Sequence, residues 1–241
     1  MSYQPTPAVQ EVGGLPSLPG VAIQPLLRQV YMWMTLAMLV TTASALLISN
    51  VAMELLVTNP AIIIVAIVAQ LGLVLALSWG MQRMSVTLAQ VLFFVYAATV
   101  GVTLSLILLV YEGSTVISAF ATTAVLFFVM TMFGLTTRVD LTRYSSYFMI
   151  GLVGLFIALI VNSFIGSSTT ELLLSFVGVV LFSGLTAYDT QRIQRMAQDP
   201  RLAGEGGATM SRLAIMGALG LYLNFLNLFI FLLRLFGGGR D

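Results

Sequence analysis

The 241 residues are 59% apolar and 8% charged, with a mean hydropathy of +1.03 and a formal net charge of +1, a composition that no water-exposed surface of this size sustains, so the chain reads as an integral membrane protein. It contains no Cys, His or Lys, which excludes disulfides and thiolate chemistry, a Ser-His or HExxH protease site, and a Schiff base. With neither a basic block nor a strong net charge, nothing suits it to nucleic acid.

Residues 1–25 hold five of the seven prolines and lack apolar periodicity, and are expected to form a disordered tail without the features of a secretory signal. Residues 26–238 read as a single seven-helix membrane domain. Its seven apolar runs are each near the ~20 residues that a bilayer-spanning helix requires. They are placed at Gln29–Asn50, Pro60–Gln82, Val86–Tyr111, Thr115–Thr136, Tyr144–Ile165, Thr170–Ile193 and Ser211–Phe236. None alternates as a barrel strand would, so the fold class is all-α. Pro60 suits the first position of a helix. The connections are short, apart from a polar loop over Arg195–Thr209 between the last two spans.

Arg28, Arg83, Arg138, Arg143, Arg192, Arg195, Arg201 and Arg212 fall at one set of span ends, and Glu54, Glu112 and Glu171 at the other. The arginine side is expected to be cytoplasmic, with the N-terminus inside. Arg234 and Arg240 then fall on the wrong side for seven crossings, unless the last segment re-enters rather than crosses. No internal repeat is visible to support an inverted-repeat transporter.

Small and polar residues recur at helical spacing: Ala97, Gly101 and Ser105 in the third span; Gly151, Gly154, Ala158 and Asn162 in the fifth; Gly217, Gly220, Asn224, Asn227 and Arg234 in the seventh. The glycines and alanines read as packing seams. The seventh span is expected to be central, and Asn224 and Asn227 are either interhelical hydrogen-bonding groups or site residues. Asn162 and Ser105 join Asn227 as candidate pore-lining residues.

An ionisable group inside a span is costly to keep and marks a candidate site. Asp189, toward the arginine end of the sixth span, has two readings. It is either a headgroup-level carboxylate paired with Arg192 one turn on, or an inward group facing Asn224 and a guanidinium from another helix. Arg83, at the end of the second span, is the candidate partner; alternatively it is an ordinary cytoplasmic-end arginine.

Tyr188-Asp189-Thr190-Gln191 closing one span, Leu221-Tyr222-Leu223-Asn224-Phe225-Leu226-Asn227-Leu228-Phe229 and Leu232-Leu233-Arg234 in the next resemble the transmembrane Bax inhibitor motif family in its bacterial branch. Ala89-Gln90, Tyr96-Ala97 and Gly101-Val102-Thr103-Leu104-Ser105 are similar to it as well. The resemblance implies a seven-helix fold with the last helix at its centre, a bacterial inner-membrane location and a pH-sensitive calcium leak. It also implies a hydrogen-bonded carboxyl pair on the sixth and seventh spans with an arginine from the second. Asp189 matches the first carboxyl and Arg83 the arginine. Asn224 stands at the second carboxyl position, which leaves one titrating group where the family has a coupled pair.

Two functions are carried forward. One is a passive calcium leak gated by Asp189, Asn224 and Arg83, in which Asp189 is a weak, transient calcium ligand and no resident cofactor is needed. The other is a non-conducting interaction protein that modulates a membrane protease or stress-response complex. An enzyme is not expected, since no nucleophile and base can be assembled.

Overall fold

The computed structural model describes residues 19–81, 83–199 and 207–238. Eight α-helices are described: α1 (Pro19–Val51), α2 (Met53–Thr58), α3 (Pro60–Gly80), α4 (Val86–Val110), α5 (Gly113–Thr136), α6 (Ser145–Ile165), α7 (Ser168–Ala197) and α8 (Gly207–Gly237). A 3-10 turn, Leu141–Tyr144, precedes α6. All but α2 are long and apolar enough to cross a bilayer.

Helix boundaries follow local chemistry. Pro60 begins α3, where its missing N–H is no loss. The hydroxyls of Ser85 and Ser167 accept from the backbone N–H of Leu88 and Thr170 at the starts of α4 and α7. Gly166 ends α6 at φ +69, a left-handed conformation that glycine adopts without strain.

Several boundaries differ from the sequence reading: α7 runs on to Ala197 and α8 begins at Gly207, so both ends of the expected Arg195–Thr209 loop are helical. α1 starts at Pro19, inside the segment assigned to the tail, and carries Pro25 within it. Residues 1–18 of that tail, and residues 200–206 of the expected polar loop, lie outside the described residues. The connection holding Glu54 folds as α2, a helix too short to show in hydropathy, held by Leu56, which is 2% exposed.

The bundle is built around α8, which packs on α1, α4, α5 and α7. Within its most apolar stretch 72% of residues are buried, against 6% for α3 and 11% for α6. Those two form an outer layer, α3 on α4 and α6 on α7. Tyr222 anchors the centre. Fully buried, it is edge-on to the rings of Phe93 and Tyr96, and its hydroxyl lies 2.6 Å from Thr41 Oγ1.

Thirty-one residues at 1.5 Å each make α8 roughly 46 Å long, enough to cross once. Its far end meets the acidic face: Arg234 Nη1 is 3.8 Å from Glu171 Oε1, and Gly237 lies against Tyr111. The last segment therefore crosses rather than re-enters. Arg234, which sat on the wrong side of a simple count of basic residues, has a carboxylate there to partner it.

Candidate functional site

Asp189 lies about two turns before α7 ends at Ala197. Its neighbour across the α7–α8 seam is Gly220, where an added Cβ would sit 3.5 Å from Asp189 Oδ2, an ordinary contact distance. One turn further along α8, Asn224 is buried and its Nδ2 donates to Asp189 Oδ2 at 2.7 Å. Hydrogen bonds in which one partner is ionised are roughly twice as strong as neutral ones, so an ionised Asp189 ties the two helices together here.

The carboxylate borders a small cleft of about 50 Å³, lined by Asp189, Arg192, Ile193, Met196, Met216, Gly217 and Gly220. That is room for a water or a largely dehydrated ion and little more. Arg192 shares the cleft with Asp189 but, among the described residues, forms no ion pair with it. No cluster of three or more acidic, His or Cys side chains suited to a metal occurs among the described residues. One carboxylate beside one amide is far fewer oxygen donors than the roughly six to eight of a storage site for calcium.

The structure brings Asp189 and Asn224 together but leaves Arg83 apart. Arg83 is exposed in the turn after α3 and makes no ion pair with Asp189. The physical reason is placement: α3 packs on α4 in the outer layer, away from the α7–α8 seam. The guanidinium nearest in role is Arg192, from the same helix as the carboxylate.

The three candidate pore-lining residues do not converge either. Asn227 Nδ2 donates back to Leu223 O within α8, and Ser105 Oγ to Val102 O within α4. Asn162 is buried in outer helix α6, its Oδ1 without a hydrogen-bond partner among the described residues. None of the three borders the cleft at Asp189.

With this geometry in place, comparison with known families is decisive. The model for the family described as "Inhibitor of apoptosis-promoting Bax1" matches residues 23–241. The chain belongs to that Bax inhibitor family. Among similar members, the inner membrane protein YbhL of Escherichia coli strain K12 is 39% identical over 224 residues, covering 92% of this chain and 95% of its own length. A protein of Deinococcus radiodurans is 39% identical over 220 residues, covering 91% and 92%. One from Borreliella burgdorferi is 42% identical over 175 residues, covering 73% and 74%. Within this Bax inhibitor fold the α7 motif does more than carry Asp189.

Gln191, two residues beyond Asp189, is 5% exposed, and its amide pairs with the α5–α6 connection as a strand would. Its Oε1 accepts from Leu141 N at 2.8 Å, and its Nε2 donates to Val139 O at 2.8 Å. Sequence reasoning quoted this residue but gave it no role. The only available signal was an uncharged amide in a mostly apolar helix, which does not reveal its partner. Gln191→Ala is expected to cost about 1–3 kcal/mol by orphaning buried polar groups. Hydrogen exchange checks it: the Leu141 amide should lose protection while α8 keeps its own.

Asp140 completes this clamp. Its Oδ1 accepts from Thr142 Oγ1 at 2.6 Å and pairs with Arg195 Nη2 at 2.7 Å, while Arg143 Nε is 3.4 Å from Oδ2. The Thr142 hydroxyl, and then Arg195, hold its carboxyl down at about 2, below the ordinary 3.8. A depressed carboxyl stabilises the fold fully above its unfolded value, and that contribution is lost only as pH falls from 3.8 through about 2. Asp140 therefore stays charged throughout the physiological range. Asp140→Asn is expected to leave the midpoint of any pH response between about pH 5 and 8 unmoved, which flux or spectroscopic titration would read.

Proposed function

We propose that the protein is a passive calcium leak pathway of a bacterial cytoplasmic membrane, with its flux tied to the titration of Asp189. The family assignment and the name of the Escherichia coli relative support that location, with the arginine-rich face inside. The observation that carries the reading is the 2.7 Å bond from Asn224 to Asp189 across the α7–α8 seam, beside a cleft with room for an ion. Asp189 supplies the single charge that draws a divalent cation, and the amide fixes the carboxylate between two helices. Protonation changes both the charge in the cleft and the strength of the bond that closes the seam.

Calcium is the cargo, passed along by oxygen ligands too few to store it. The purified protein in liposomes loaded with a calcium indicator tests the proposal. Calcium entry above that of empty liposomes, and varying with pH, is the expected result. Entry no faster than in empty liposomes at every pH would remove conduction and favour a non-conducting partner of a membrane protease complex.

A further inference from the structure

On the other half of the bundle, toward the acidic face, a cavity of about 320 Å³ opens beside α8, within the ~300–1,000 Å³ range of small-molecule pockets. It arises from how the surrounding helices choose partners. α1 and α4 pack closely on each other, while α5 packs on α7 and α8. The gap between α5 and the α1–α4 pair is lined on its α8 side by Phe225, Leu226 and Phe229, which are buried, with the Phe120 ring of α5 edge-on to both phenylalanines.

The lining is apolar apart from Thr41 and Thr42, whose hydroxyls are already engaged: Thr41 Oγ1 with Ala37 O, Ala97 O and the Tyr222 hydroxyl, and Thr42 Oγ1 with Met38 O. Such a wall offers no oxygen to a hydrated ion, so the cavity is not a continuation of the cleft at Asp189. Its rim residues Leu46, Ile117 and Phe120 are exposed and continue the outward, hydrocarbon-facing surfaces of α1 and α5. The slot therefore opens sideways, at bilayer depth.

We propose that this slot is a binding site for one acyl chain of a membrane phospholipid, which enters between α1 and α5 and lies against Phe225 and Phe229 of α8. The chemistry of the walls matches a hydrocarbon chain, and the surrounding solvent at that depth is made of such chains. The chain's own N-terminal segment is a poor alternative. Residues 1–18 carry Gln4, Gln10 and Glu11, polar groups that an apolar wall does not suit.

The test uses the full-length protein reconstituted with a phospholipid that bears a diazirine near the end of one acyl chain. After irradiation, adducts are mapped by mass spectrometry. Adducts on Leu104, Phe225 and Phe229 should exceed several-fold those on Ile64 and Val68, which face lipid on α3. Ala45→Phe, which projects a ring into the slot, and Ile117→Trp at its rim should each remove most of the slot labelling and leave α3 labelling unchanged. The rim substitution keeps the test valid should the buried one fail to fold. Slot labelling no greater than that of α3, or a protein–protein crosslink through the slot from a second copy, would overturn the assignment. Because the readout is lipid labelling, it stands or falls independently of calcium flux.

Discussion

Asp189→Asn is expected to give liposomes whose calcium entry is nearly flat with pH, within about twofold across the interval over which the unaltered protein's flux changes, whereas one titrating carboxylate permits up to about tenfold per pH unit. The substitution preserves shape but leaves the α7–α8 seam, at every pH, with a neutral bond like that of the protonated acid. What it removes is the ionisable group of the Asp189–Asn224 bond, since the partner Asn224 is an amide and Arg83 makes no ion pair there; the other charged pair between these helices, Glu171 with Arg234, lies at the acidic end and is left intact. A divalent cation about 4 Å from the carboxylate is attracted by about 8 kcal/mol at an effective dielectric of about 20, most of which offsets the desolvation of the ion, so loss of the carboxylate charge should also weaken cation entry by at least about tenfold.

Asn224→Asp changes the opposite side of the pair. It restores a second carboxyl, and two interacting carboxyls titrate in two coupled macroscopic steps rather than one. Its flux profile should therefore show two inflections where the unaltered chain shows one. Both variants are measured in the same assay, and monodisperse elution establishes that each is folded. A pH profile for Asp189→Asn identical to that of the unaltered protein would place the titrating group elsewhere and end the proposed gate.

The spans were legible because a bilayer demands runs of about 20 apolar residues, and few soluble arrangements mimic that. The central place of the last helix was legible too, from small and amide residues on one stripe with aromatic rings around it. The neighbours of each helix were not. Arg83 was paired with Asp189 on the strength of its position at a span end, yet every span end near one face looks alike in sequence, and α3 packs on α4. The stripe in α6 shows the same limit. Gly151 lies close to Leu181 of α7, but a Cβ at Gly154 would meet nothing within 4 Å. Gln191 and Tyr222 escaped for a related reason. Their partners, the backbone of Val139 and Leu141 and the Thr41 hydroxyl, are about 50 or more residues away, and spacing carries no record of such contacts.

Gly134→Val is expected to lose about 3 kcal/mol of stability, at the upper end of the cost of overpacking a tight interface. At Gly134, α5 crosses α7 so closely that an added Cβ would sit 2.5 Å from the Ala187 carbonyl oxygen and 3.0 Å from its Cα. Both are backbone atoms, so no side-chain rotation relieves the clash, and the helices must separate. Ala187 lies two residues before Asp189, so the same displacement moves the carboxylate relative to Asn224. Gly72→Val is the control. It lies in the outer helix α3 with nothing within 4 Å of its Cβ position, and it should be neutral or slightly stabilising. Loss of the monodisperse fraction on heating, followed by fluorescence-detected size exclusion, compares the two. Equal thermal stability of Gly134→Val and Gly72→Val would show that the α5–α7 seam has slack, and with it that Asp189 is not held at a fixed distance from α8.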